Sequence, residues 1–315
     1  MNTLDQPNQP VHIGIDVAKA TLQIDLLGKS RKLPNTAAGH EALLGLLPWN
    51  AFIIMESTGS YHLAPLACFQ TAGIPVAIVN PVRVKQFGKA RGTLAKTDPV
   101  DAALLTDFGR AFLPRPTPPR DPERVLLGEL VNLRETLGAQ ITLWNNLIEH
   151  QQSAVARKLS EAQARAAAKA MADVEARIAK LIKDSKTLAP AADVLRESQG
   201  VGAVTAAVLL AEMPELGHLN RREAAALAGV APCANDSGKH EGKRFIRGGR
   251  PRVKRALYLA SLSAVRHHPT LSPAYKALRA AGKPAKVALI AIARKLVVIL
   301  NAKLKEHYAT LAQPA

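Results

Sequence analysis

Aromatic side chains make up only 4% of the 315 residues, which excludes an aromatic stacking platform as the main mode of nucleic-acid recognition. Cys68 and Cys233 are the only cysteines, and neither Cys-x-x-Cys nor His-x-x-x-His spacing occurs. A disulfide framework and a structural zinc site are therefore not indicated. No apolar run approaches the roughly 18 residues of a membrane span, and no basic amphipathic N-terminal anchor is present. The first ten residues are polar and lack the regions of a signal peptide, so the expectation is a cytoplasmic protein. Acids are also scarce, with 25 Asp and Glu against 42 Lys and Arg, a formal charge of +17 and a pI near 10.1. So large an excess repels itself in the compact state and attracts phosphate backbones, which favours nucleic acid over a membrane surface and predicts association with the nucleoid.

What is present is a globular composition, 48% hydrophobic, in a chain long enough for two domains. Residues 11–34 read as a strand meander over 11–17, 21–27 and 31–34, with Asn35 as a cap for the next helix. Helix 37–47, strand 51–55, helix 60–72, strand 75–79 and helix 98–112 then alternate as crossover units require. This predicts a ribonuclease-H-like, or RuvC-like, mixed sheet with flanking helices over 11–113. The proline-rich segment from Leu113 to Pro122 can sustain neither helix nor central strand, and marks a boundary.

Beyond it, Leu126, Leu130, Leu133, Leu137, Ile141, Trp144 and Ile148 recur at steps of four and three, the seam of a coiled coil assigned to 121–189. No Gly or Pro interrupts the chain between Gly138 and Pro190, so one or two long helices fill that span. The Ala-rich stretch 162–170 permits a bend or chain reversal nearby. Residues 190–310 read as an all-α domain. Within it, Gly200-Val201-Gly202 opens a helix as in a helix-hairpin-helix, where backbone N–H groups can hold a DNA phosphate. A plain glycine turn between two core helices is an equally good reading.

Asp16 is an ionised carboxylate in an otherwise apolar strand, which is costly unless something positive offsets it. Glu56 ends the next apolar run. Asp98 and Asp101, three apart on one helix face, complete a group of four acids. Taken alone, Asp98 before Pro99 is a good helix cap and Asp101 suits the helix dipole. Taken together, the four carboxylates suffice for two magnesium ions about 3.5 to 4 Å apart, the arrangement used in phosphoryl transfer.

A second constellation runs from Ala228 through Asp236-Ser237-Gly238 to Arg250. Asp-Ser-Gly is an ordinary turn, but Lys239, Lys243, Arg244, Arg247, Arg250, Arg252, Lys254 and Arg255 follow with one Glu among them, a density suited to gripping phosphates. A solvated basic face remains open as the simpler explanation. A third patch, Arg83, Lys85, Lys89, Arg91 and Lys96, precedes Asp98 with no acid in residues 81–97, and suits backbone contact near the four acids.

These motifs resemble the DEDD insertion-sequence transposases known as bridge-RNA-guided recombinases. The resemblance spans about residues 11–307. It is carried by Gly14-Ile15-Asp16-Val17-Ala18-Lys19, Met55-Glu56-Ser57-Thr58-Gly59-Ser60-Tyr61, Lys96-Thr97-Asp98-Pro99-Val100-Asp101-Ala102, Gly229-Val230-Ala231-Pro232 and Asp236-Ser237-Gly238 through Gly248-Gly249-Arg250. It implies a RuvC-like N-terminal domain, a C-terminal transposase domain, and Asp16, Glu56, Asp98 and Asp101 as the magnesium-binding tetrad. It further implies Ser237 as a nucleophile that forms a covalent phosphoserine link. The implied partners are donor DNA, target DNA, a structured bridge RNA and further copies of the chain, as a dimer or tetramer. Two competing readings use the same residues: a structure-specific nuclease with water as nucleophile, and a non-catalytic nucleic-acid scaffold whose acids only cap helices.

Overall fold

The computed structural model describes residues 9–57, 59–92, 98–119, 121–233, 242 and 244–311, with Asp98 described only as the first residue of its helix. It divides into two compact units, residues 1–119 and 120–315.

In the first unit, β1 (Val11–Val17), β2 (Thr21–Leu26) and β3 (Lys29–Pro34) form an antiparallel meander. Helix α1 (Ala37–Leu44), β4 (Ala51–Glu56), α2 (Leu63–Thr71) and β5 (Val76–Val79) follow, and β4 and β5 add in parallel on the other side of β1. The result is a five-stranded mixed sheet in the order β3-β2-β1-β4-β5, consistent with a ribonuclease-H-like domain. Strand alternation sorts the two faces. Ile13, Ile15, Ile53 and Met55 point to one core, shared with Leu43, Leu66 and Phe69 of α1 and α2. Ile54, Ala77 and Val79 point to another, shared with α3 (Pro81–Ala90) and α4 (Asp98–Phe112) through Val84, Leu105 and Phe108.

Helix α3 falls where sequence patterning shows only a basic patch. Asn80 caps it, its side chain accepting from the Val82 N–H at 2.8 Å, and Pro81 supplies the preset backbone angle of a first helical residue.

The second unit opens with α5 (Pro122–His150) and α6 (Ala154–Asp184), which fold back on each other as an antiparallel hairpin. Arg134 pairs with Glu175 at 2.7 Å, and a Cβ on Gly138 would stand 3.9 Å from the Met171 sulfur. Gln151 donates to the Ser160 hydroxyl at 2.8 Å near the turn. The reversal lies at Gln151–Ser153, not in the Ala-rich stretch 162–170, because Gln151 turns to extended backbone and Ser153 caps α6. The buried face of α5 near its start is Leu127 and Val131, while Leu126 and Leu133 of the expected seam are 46% and 47% exposed. The cause is that α5 also packs on α8, where Arg124 donates to the Leu210 carbonyl at 2.7 Å, which turns its base away from a simple two-helix seam.

Then come α7 (Leu188–Arg196), α8 (Ala203–Glu212), α9 (Arg221–Leu227), the short pair β6 (Pro232–Cys233) and β7 (Phe245–Ile246), α10 (Pro251–His267), α11 (Leu271–Ala280) and α12 (Ala285–Leu311). One core joins them, with Leu195, Leu209, Leu257, Leu296 and Leu300 fully buried. Among the described residues, no helix is long and apolar enough to cross a membrane.

Candidate active site

The first candidate site is set by how α4 lies across the sheet. Gly14, in the middle of β1, has no room for a side chain: an added Cβ would stand 2.1 Å from the Ala102 carbonyl oxygen and 2.6 Å from the Thr106 nitrogen. The Gly14 N–H instead donates to the Thr106 hydroxyl at 2.8 Å, so strand and helix are in backbone contact there. Lower down, a Cβ on Gly109 would meet Ile54 at 2.6 Å and His12 at 3.0 Å. The helix therefore runs antiparallel to β1, with Gly109 over His12 and Ala102 to Thr106 over Gly14.

Two residues of strand advance about 6.6 Å, the length of roughly four to five helical residues. The next step along β1 is Asp16, and the next turn of α4 holds Asp98 and Asp101. The parallel register of Ile15 with Met55 makes Asp16 and Glu56 the following neighbours, on the α4 side of the sheet with Gly14 and Ile54. Asp16, Glu56 and Asp101 are half-buried, and each has a partner. The positive end of the α4 dipole at the carboxyl ends of β1 and β4 favours carboxylates in this position. Among the described residues, no three His, Cys, Asp or Glu side chains form a metal cage, and the Asp98 side chain lies outside them. The donors are hard carboxylate oxygens, the kind a divalent magnesium ion takes.

The basic residues next to this site have structural partners as well. Arg83 lies over the Phe108 and Phe112 rings, 5.6 Å from each centroid, and Arg91 lies over Phe87 at 5.6 Å while pairing with Asp107. Lys85 and Lys89 are exposed on α3, and Lys96 lies outside the described residues.

In the second unit, Ser237, Lys239 and Lys243 lie outside the described residues, but the chain on either side does not. Arg244 and Arg247 are exposed and Lys254 is half-buried. Arg250 makes a two-point pair with Glu215, both contacts at 2.6 Å. Arg252 bridges Glu135 at 2.8 Å and Glu212 at 2.7 Å, and Arg255 reaches Glu135 at 2.8 Å. Burial works against the charge on Arg252, yet these carboxylates outweigh it and raise its pKa. Gly200 has a φ of +101° and meets α10, where a Cβ would stand 2.8 Å from the Ala260 oxygen, so packing alone demands a glycine there. Gly202 is the exposed N-cap of α8 and leaves the N–H groups of its first turn open to an anion.

Two family models match the chain in succession. A model described as "Transposase", of the DEDD IS110 type, matches residues 13–155. A model described as "Transposase IS116/IS110/IS902 family" matches residues 192–276. The chain belongs to the IS110/IS116/IS902 transposases. It is a DNA transposase/recombinase, with DNA as its substrate, and membership of the DEDD type points to dependence on a divalent metal. Among its relatives is the "Pilin gene-inverting protein" of Moraxella bovis, 24% identical over 310 residues that cover 94% of this chain and 96% of that protein. The protein of the same name from Moraxella lacunata matches to the same extent. An insertion element IS110 protein of 43.6 kDa from Streptomyces coelicolor is 35% identical over 124 residues, covering 37% of this chain and 29% of that protein. The first matched segment contains Gly14 and Thr106, the contact that brings α4 of the transposase to the strand ends, a pair not singled out by sequence reasoning. The signal available was a glycine in the interior of a strand, which marks close approach of another backbone.

Proposed function

We propose that this transposase cuts and rejoins donor and target DNA through a covalent serine–phosphate intermediate on Ser237, guided by a structured bridge RNA. In this reading Asp16, Glu56, Asp98 and Asp101 hold two magnesium ions. The observation that supports the reading is the backbone contact of α4 with β1 at Gly14, which lays the helix that begins at Asp98 and carries Asp101 across the strand that carries Asp16.

The chemistry balances without an external energy source. The Ser237 Oγ forms a bond to phosphorus, one phosphorus–oxygen ester bond breaks, the serine proton passes to solvent, and the departing deoxyribose oxygen takes up a proton. Attack by the hydroxyl of a new DNA end reverses each change and frees Ser237. Bound magnesium would stabilise charge on the entering and leaving oxygens. Lys239, Lys243, Arg244, Arg247 and Lys254 hold phosphates near Ser237, and Lys85 and Lys89 hold them beside the acids. Inversion, named for the Moraxella relatives, requires cut ends to be rejoined and not released, as a serine ester permits. Leu143 and Leu147 on the hairpin, 62% and 43% exposed, offer apolar surface for assembling copies of the chain.

The test is to incubate protein, guide RNA, DNA and magnesium, denature, and look for a protein–DNA adduct. Ser237→Ala is expected to abolish it, and Asp16→Asn to reduce it at least 100-fold. An undiminished adduct with Ser237→Ala overturns the reading, as does clean DNA cleavage by the intact protein with no adduct, the signature of a water nucleophile.

A further inference from the structure

Ser237 belongs to a segment whose two ends are both anchored. The chain leaves the C-terminal core after α9 at Gly229 and returns at Gly249, and these glycines touch. Their φ angles are +72° and +71°, and a Cβ on Gly249 would stand 2.2 Å from both the Cα and the nitrogen of Gly229. Beyond this crossing the limbs pair as β6 and β7, with Cys233 opposite Phe245. The outgoing limb is fixed by Val230, which is buried, and by the Val230 and Ala231 N–H groups, which donate to the Ala225 carbonyl at 3.0 and 3.1 Å.

The returning limb is fixed by Arg250. Its backbone N–H donates to the Leu227 carbonyl at 2.9 Å, and its guanidinium grips both oxygens of Glu215. Glu215 stands on a turn that is itself anchored: Met213 and Leu216 are buried, and Asn301 of α12 accepts from the Gly217 N–H at 2.9 Å and donates to the Leu219 carbonyl at 2.7 Å. A planar guanidinium held at two points fixes direction as well as distance.

We infer that Glu215 is a positioning residue for recombination: through Arg250 it sets the base from which the Ser237 segment is presented to the DNA phosphate. This rests on Ser237 being the nucleophile, and it removes Arg250 from the phosphate-gripping set. If Arg250 were instead a DNA contact restrained by Glu215, removing the carboxylate would free it and tighten DNA binding.

Glu215→Gln is expected to slow adduct formation at saturating DNA at least tenfold while the Kd for DNA changes less than twofold. Arg250→Lys, which keeps the charge but loses the two-point geometry, is expected to behave likewise and serves if Glu215→Gln folds poorly. A nitroxide on Cys233, exposed at the base, in a Cys68→Ser background is expected to become more mobile in both variants. An unchanged adduct rate, an unchanged label, or tighter DNA binding with Glu215→Gln overturns the inference. Ser237→Ala run in parallel separates the two ideas. If it retains the adduct, the nucleophile assignment fails, while the Cys233 label still reports whether Glu215 holds the base.

Discussion

Replacing Gly14 by Ala should uncouple folding of the N-terminal unit from its chemistry in a measurable way. The new Cβ would sit 2.1 Å from the Ala102 oxygen and 2.8 Å from the Leu105 Cβ, and the nearest obstacles are helix backbone, which cannot swing aside as a flexible side chain can. Restoring ordinary contact requires α4 to retreat from β1 by about 1 Å. Overpacking of this kind costs about 1–3 kcal/mol. Lengthening the Gly14 to Thr106 hydrogen bond, 2.8 Å in the native protein, adds about 1 kcal/mol. For a unit of this size, each kcal/mol lowers the melting temperature by roughly 4 °C or more, so calorimetry of the full chain should show its transition falling by about 8 °C or more.

The chemical effect should exceed the thermal one. A shift of about 1 Å in α4 moves Asp101 relative to Asp16, and misplacement on that scale costs on the order of 100-fold in rate. Thr106→Val is the control, because it removes the hydroxyl acceptor but keeps the side-chain shape and leaves α4 seated. It should cost about 1–3 kcal/mol of stability for the Gly14 N–H left unsatisfied, with adduct formation within about tenfold of wild type. A Gly14→Ala protein with wild-type melting and wild-type rate would refute the claim that this contact assembles the site.

Three further outcomes follow from particular contacts. His12 is held neutral, with burial and then the Arg110 charge lowering its pKa, so protonation favours the unfolded chain. Stability of the first unit should be full above the ordinary histidine range and should fall as pH drops through it, and His12→Gln should flatten that part of a melting-temperature profile. For Glu215, burial opposes ionisation but the Arg250 hydrogen bonds and charge outweigh it and hold the carboxyl below its usual range. Its contribution is therefore present above that range and lost below it, and Glu215→Gln should blunt acid denaturation of the second unit. Gly249→Ala should destabilise that unit by about 2 kcal/mol or more in denaturant titration, since it combines overpacking against the Gly229 backbone with a left-handed φ of +71°.

The strands that carry Asp16 and Glu56 and the helix that carries Asp98 and Asp101 were legible because apolar runs and a helix-start signal mark their bounds. Asp16 interrupts one apolar run, Glu56 ends the next, and Asp98-Pro99 announces a helix start. Helix α3 was hidden behind its own composition: the absence of acids over 81–97 drew attention to charge, while Asn80-Pro81 carried the helix signal. The reversal at Gln151–Ser153 has neither Gly nor Pro, and a single serine cap is too common to mark a hairpin between two long helices. The arginines after Ser237 were the least readable. Arg250, Arg252 and Arg255 look like one phosphate-binding run, but their carboxylate partners Glu215, Glu212 and Glu135 come from distant segments that only the folded chain brings near. Gly200 poses the same problem, since its close approach to α10 is a long-range fact.

The most direct test of the central claim is to trap the protein–DNA adduct, digest both components, and map the modified peptide by mass spectrometry. The account predicts a nucleotide phosphate on Ser237, formed with magnesium and lost when Asp16 is changed to Asn. A phosphate on any other residue, or an adduct that forms equally well with Asp16→Asn, would contradict it.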